Sequence, residues 1–84
     1  MHYVYIIKSE ARNWFYVGST GNISKRLEEH NFGKTKSTKA YTPFTIIYTE
    51  ELPSKTEARK RENFIKRNHA LKKDIINSWL ASNT

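Results

Sequence analysis

Apolar residues along the chain change period several times, and the changes mark the elements. Residues 3–8, Tyr-Val-Tyr-Ile-Ile-Lys, are β-branched and aromatic and predict a strand. Ser9 to Asn13 is polar and reads as a turn. Trp14-Phe15-Tyr16-Val17 predicts the returning strand of a hairpin, ended by Gly18. Asn22 is a good N-cap for a helix from Ile23 to about Asn31. From Phe32 to Pro43 there is Gly, Ser, Thr, Lys and Pro but little apolar periodicity, which predicts a loop. Phe44 to Thr49 reads as a third strand. Ser54 and Glu57 have capping-box spacing, so a helix starts near Lys55 and runs to about Arg67. Asn68 or His69 breaks it, and a last helix covers Leu71 to Leu80. The order ββα-β-αα predicts an α/β fold of the α+β type: a small three-stranded, mostly antiparallel sheet flanked by about three helices.

Two helices carry polar residues where apolar ones are expected. At about 100° per residue, Ile23 and Leu27 mark the buried stripe of the first helix. Arg26 and His30 share a face beside that stripe, while Lys25, Glu28 and Glu29 point away. In the second helix Ala58 and Ile65 define the inward stripe, and Glu62 falls between them. A carboxylate on an apolar face is costly unless it is paired or binds a cation. Glu62 is therefore either the partner of Arg26 or another base, or a cation ligand. His30 is either a satisfied core histidine or a functional one. Tyr3, Tyr5 and Tyr16 fit ordinary strand packing as well as chemistry.

Composition narrows the function. The 84 residues suit a single domain spanning 1–84, with a modest core. With no cysteine there is neither a disulfide nor a thiolate zinc site, which fits a reducing, cytoplasmic setting. No apolar run approaches the roughly 20 residues of a membrane helix, so no membrane partner is expected. Fifteen Lys and Arg against eight Asp and Glu give a net charge of +7. Such an excess attracts polyanions, although it also serves solubility. Lys34, Lys36 and Lys39 alternate with small hydroxyl residues, as a phosphate-contacting loop would. Arg59-Lys60-Arg61 and Lys66-Arg67 add a basic helix.

Four segments in order resemble one family. Tyr3-Val4-Tyr5 stands at the first half of the GIY-YIG nuclease signature, with Tyr3 where that family has glycine. Tyr16-Val17-Gly18 is similar to the second half, with Val17 for isoleucine. Gly21 to Asn31 resembles the family's arginine helix, and Ala58 to Lys66 the helix bearing its metal-binding glutamate. The likeness runs from Tyr3 to about Lys73 and is strongest to small stand-alone bacterial members. It implies a metal-dependent endonuclease acting on nucleic acid, DNA in the first instance. It also implies roles. Tyr5 would be the general base, its phenol needing a nearby cation to bring it down from about 10. Arg26 would bind the phosphate, Tyr16 would assist by positioning, and His30 would relay a proton or contact the phosphate. Glu62 would hold one divalent cation, Mg²⁺ or Mn²⁺. By their charge rather than by this likeness, Lys34, Lys36, Lys39 and Lys66 are the expected nucleic-acid contacts. A domain this small leaves room for a protein partner that supplies targeting.

Two other classes stay open. One is a nucleic-acid-binding module without strong cleavage. The other is a basic interaction domain, for which Trp14, Trp79, Phe32 and Phe44 are candidate anchors, although core packing suits all four better. Oligomeric state is not specified by any of these features.

Overall fold

The computed structural model describes residues 1–82. Its elements are strands β1 (His2–Ser9), β2 (Phe15–Thr20) and β3 (Phe44–Leu52), and helices α1 (Ile23–Asn31), α2 (Lys55–Arg67) and α3 (His69–Ser82). The strands form one antiparallel sheet in the order β2-β1-β3. The fold is the α+β arrangement that the hydrophobic pattern predicts.

β1 is the central strand, and its unbroken apolar run follows from having both faces covered. Val4 and Ile6 point to one side, where they are packed with Val17, Ala58 and Ile65 from β2 and α2. Tyr5 and Ile7 point to the other, with Phe44, Ile23 and Leu27. So α2 lies on one face of the sheet and α1 on the other. Leu71 and Ile75 of α3 extend the α2 side. Opposite Ile6 and Ile7, β3 shifts register, pairing Tyr48 and Ile46 and leaving Ile47 as an extra residue. Ile47 and Tyr48 thereby pack on the same side.

Caps set the helix limits. The Asn22 side chain accepts from the Lys25 amide of α1, and the Ser54 hydroxyl from the Glu57 amide of α2, as their spacing predicts. Asn68 closes α2, and its side chain accepts from Leu71 N at 3.0 Å. One asparagine thus ends one helix and starts the next.

Four elements have limits other than those read from the sequence, and the first is β1, which runs from His2 to Ser9 rather than over residues 3–8. β2 begins at Phe15 rather than Trp14 and continues through Gly18 to Thr20. Gly18 is not a terminator: it pairs with Tyr5, and a Cβ there would stand 2.5 Å from the Tyr5 hydroxyl oxygen. The strand needs glycine because a ring lies over it. β3 runs to Leu52 and α3 from His69 to Ser82, both longer than apolar periodicity alone marks. The loop from Phe32 to Pro43 holds a single 3₁₀ turn at Lys39–Tyr41. Ser9 fixes the start of the hairpin turn: its buried hydroxyl accepts from Ala11 N and Arg12 N and donates to Tyr41 O at 2.6 Å.

Candidate active site

The site grows from Tyr5. Central-strand alternation turns its ring to the α1 side, and Gly18 beside it leaves the room. The hydroxyl meets Nε2 of His30, in the last turn of α1, at 2.9 Å. Nδ1 of His30 meets Thr38 Oγ1 at 2.9 Å, and Thr38 Oγ1 donates to Thr35 O at 3.3 Å. These contacts favour one arrangement of the protons. With Thr38 donating to the Thr35 carbonyl, its oxygen accepts from His30 Nδ1–H. Nε2 is then bare, and the Tyr5 O–H donates to it.

Burial explains the protonation of both groups. His30 and Thr38 have no exposed surface, and Tyr5 is 2% exposed. Burial, helped by the Arg26 charge, lowers His30 to about 4, so the imidazole is neutral at physiological pH. Burial also raises Tyr5 to about 12, against the pull of Arg26, the nearby cation the sequence reading asks for. Tyr5 is therefore a proton donor in the free protein, not a standing base. Tyr16 walls this pair: its ring lies 5.2 Å edge-on to His30 and 6.4 Å from Tyr5.

Arg26 lies against the Tyr5 phenol and also bonds Glu29 Oε1 at 3.1 Å. Its side chain is one-third exposed, so it faces both the buried pair and solvent. On the solvent side is an open cleft of about 490 Å³ lined by His2, Ser19, Thr20, Asn22, Lys25, Arg26 and Glu29. Its hydroxyl and cationic groups suit an anion.

Glu62 reaches the site differently. Tyr16 and Gly18 face α1, whereas Val17 and Ser19 face α2. Glu62 comes from the α2 side, where Oε1 accepts from Ser19 Oγ at 2.6 Å. Its partner charge is Lys66, one turn on, with Nζ at 2.6 Å from Oε2. It is not Arg26, which Glu29 takes. Because β2 is an edge strand, the two sides of the sheet meet around its free edge. There Lys66 Nζ lies 5.7 Å from the Tyr16 ring, and the Glu62 charge is felt at Tyr5. Tyr5, Tyr16, Arg26 and His30 thus cluster directly, and Glu62 joins them across that edge.

One carboxylate beside a hydroxyl suits a hard cation that keeps most of its water, as Mg²⁺ or Mn²⁺ does. Among the described residues no group of three or more His, Cys, Asp or Glu gathers to hold a metal without water. Lys34, Lys36 and Lys39 are exposed along the loop that carries Thr38, whereas Lys66 is tied to Glu62. Sequence reasoning missed Thr38 and Ser19. Their only signal is a small hydroxyl among many, and long-range contacts give them a role.

Residues 1–74 match the family model described as the GIY-YIG catalytic domain. The chain belongs to the GIY-YIG family. Within it, this GIY-YIG domain is 46% identical over 66 residues to a UPF0213 protein of Staphylococcus haemolyticus, covering 77% of this chain and 79% of that one. It is 38% identical to a UPF0213 protein of Halobacterium salinarum, covering 90% of this chain and 99% of that one. The solution NMR structure of a UPF0213 protein from Bacillus halodurans aligns with a TM-score of 0.54 at 35% identity, covering 92% of this chain and 82% of that one. The matched span includes every element from β1 to the start of α3, and so every site residue named above.

Proposed function

We propose that this GIY-YIG domain is a metal-dependent endonuclease that hydrolyses phosphodiester bonds in nucleic acid, with DNA as the substrate to test first. The observation that carries the reading is the Tyr5–His30–Thr38 relay, closed off from water at one end and open to Arg26 and a basic cleft at the other.

A phosphodiester resists attack because it is anionic. Arg26 binds the scissile phosphate, its planar fork matching two phosphoryl oxygens, and meets the charge that grows on them. The Tyr5 oxygen takes a proton from the attacking water as its own proton passes to His30 Nε2. The two transfers occur together, because a buried phenol raised to about 12 does not hold a free phenolate beforehand. Thr38 keeps the imidazole in the tautomer that can accept. Tyr16 holds the ring of His30 in place. The water oxygen bonds to phosphorus, the bond to the leaving oxygen breaks, and that oxygen is protonated from solvent. Glu62, oriented by Ser19, would hold the divalent cation, which when bound supplies charge neutralisation at the phosphoryl group and the leaving oxygen. Lys34, Lys36 and Lys39 would hold the strand by its backbone, and a protein partner would direct so small a domain to its target.

The test is cleavage of branched, nicked and single-stranded DNA by purified protein with Mg²⁺ or Mn²⁺. Tyr5→Phe, Arg26→Ala and Glu62→Ala should each lose on the order of 10²-fold or more in rate. Equal cleavage by wild type and all three variants would mark the activity as contamination. One observation favours a second reading, a nucleic-acid-binding module without cleavage: both Glu62 oxygens already have protein partners. DNA binding with no metal-dependent cut in any substrate form would select it.

A further inference from the structure

Lys66 stands where a metal ion would have to compete with it. Its ammonium is 2.6 Å from Glu62 Oε2, the one carboxylate offered to a cation here. Ser19 holds Oε1 at 2.6 Å, but a hydroxyl is neutral and leaves lone pairs free on that oxygen. Lys66 is different: it cancels the charge of Glu62 and would repel a divalent ion placed beside it. The free protein therefore offers the metal a site with little net attraction.

Two features make Lys66 movable. Its side chain is 43% exposed, against 16% for Glu62, and it is long and flexible. Its ammonium also lies 5.7 Å from the Tyr16 ring, so it borders the tyrosine side of the β2 edge. An incoming phosphate would offer it a second anion nearby.

We propose that Lys66 is an internal stand-in cation. It neutralises Glu62 until nucleic acid arrives, then transfers to a substrate phosphate as the divalent ion takes Glu62. Metal and nucleic acid consequently bind with positive coupling, and neither loads well alone. This rests on Glu62 being the metal position proposed above.

The experiment follows free Mn²⁺ by electron paramagnetic resonance during titration of wild type, K66Q, K66R and E62Q. Each titration is run with and without a phosphorothioate oligonucleotide that resists cleavage. Without oligonucleotide, K66Q should bind Mn²⁺ about tenfold more tightly than wild type, the scale expected for removing one positive charge some 4 Å from a divalent ion in salty water. K66R keeps the charge and should match wild type. The oligonucleotide should tighten Mn²⁺ binding to wild type by about tenfold or more and to K66Q far less. Unchanged Mn²⁺ affinity in K66Q, with binding still lost in E62Q, would overturn the stand-in role and leave the metal site intact. Equal Mn²⁺ binding by E62Q and wild type, with oligonucleotide present, would overturn the metal site itself and this inference with it.

Discussion

Acidification should weaken this fold through a single histidine. In the folded protein His30 is buried with its Nε2 accepting from Tyr5 and is lowered to about 4. In the unfolded chain it titrates near ~6.5. Between those values the unfolded chain takes up a proton that the folded one refuses. The stability that neutral His30 contributes is therefore complete above about pH 6.5, falls as the pH is lowered, and is fully lost below about 4. Each unit of difference corresponds to about 1.4 kcal/mol, so the loss amounts to about 3 kcal/mol. That is a large share of the roughly 5–15 kcal/mol that holds a small domain folded.

Two measurements check it. The His30 ring proton should titrate by NMR with a midpoint near 4. Urea unfolding of wild type and His30→Gln at a series of pH values isolates the term, because the carboxylates titrate in both. The stability gap between the two should close by about 2–3 kcal/mol from pH 7.5 to 4.5. Parallel curves, or a His30 midpoint at or above ~6.5, would refute both the burial account and the assignment of a bare Nε2.

Two substitutions probe the same network from its ends. Gly18→Ala puts a methyl 2.5 Å from the Tyr5 hydroxyl oxygen and 2.7 Å from Tyr5 Cζ, so the ring must leave His30. The expected cost is about 1–3 kcal/mol in thermal or urea unfolding, together with a changed Tyr5 NMR environment; wild-type values for both would mean the ring has slack. Thr38→Val keeps shape but removes the acceptor for His30 Nδ1–H. Stability should fall by about 1–3 kcal/mol, and ¹⁵N NMR of the imidazole should show the Nδ1–H tautomer losing population; an unchanged tautomer would place its control elsewhere.

The fold was legible where neighbours in sequence decide it. The Asn22 and Ser54 caps, the apolar central strand and the Ala58–Ile65 stripe all act within a turn or a strand, and each stands as read. The boundaries that moved depend on distant residues. Gly18 looks like a strand end until the Tyr5 ring across the hairpin is seen to need its missing side chain. α3 has no fully buried residue, so its ends carry little apolar signal. Phe32 is a further instance. Read as better suited to a core than to a partner, it is 77% exposed at the end of α1, while Phe44 is buried at 3%.

The candidate site was legible as residues but not as partnerships. Helical spacing marked Arg26, His30 and Glu62 as out of place on half-buried faces, and that anomaly is physical: each needs a compensating group. Which group compensates depends on contacts that no period reports. His30 is satisfied by Tyr5, 25 positions away, and Glu62 by Ser19, 43 away. Lys66 was the nearest basic neighbour of Glu62 by helical spacing, yet its charge alone read as a phosphate contact. The two readings are compatible if the lysine serves each anion in turn. A domain with so few buried side chains still places Tyr5, His30 and Thr38 among them. An apolar set of the same shape would avoid burying a titratable ring that opposes folding in acid. Retaining the polar set is understandable if a proton has to move along it, which makes the tautomer of His30 the property on which the nuclease reading most depends.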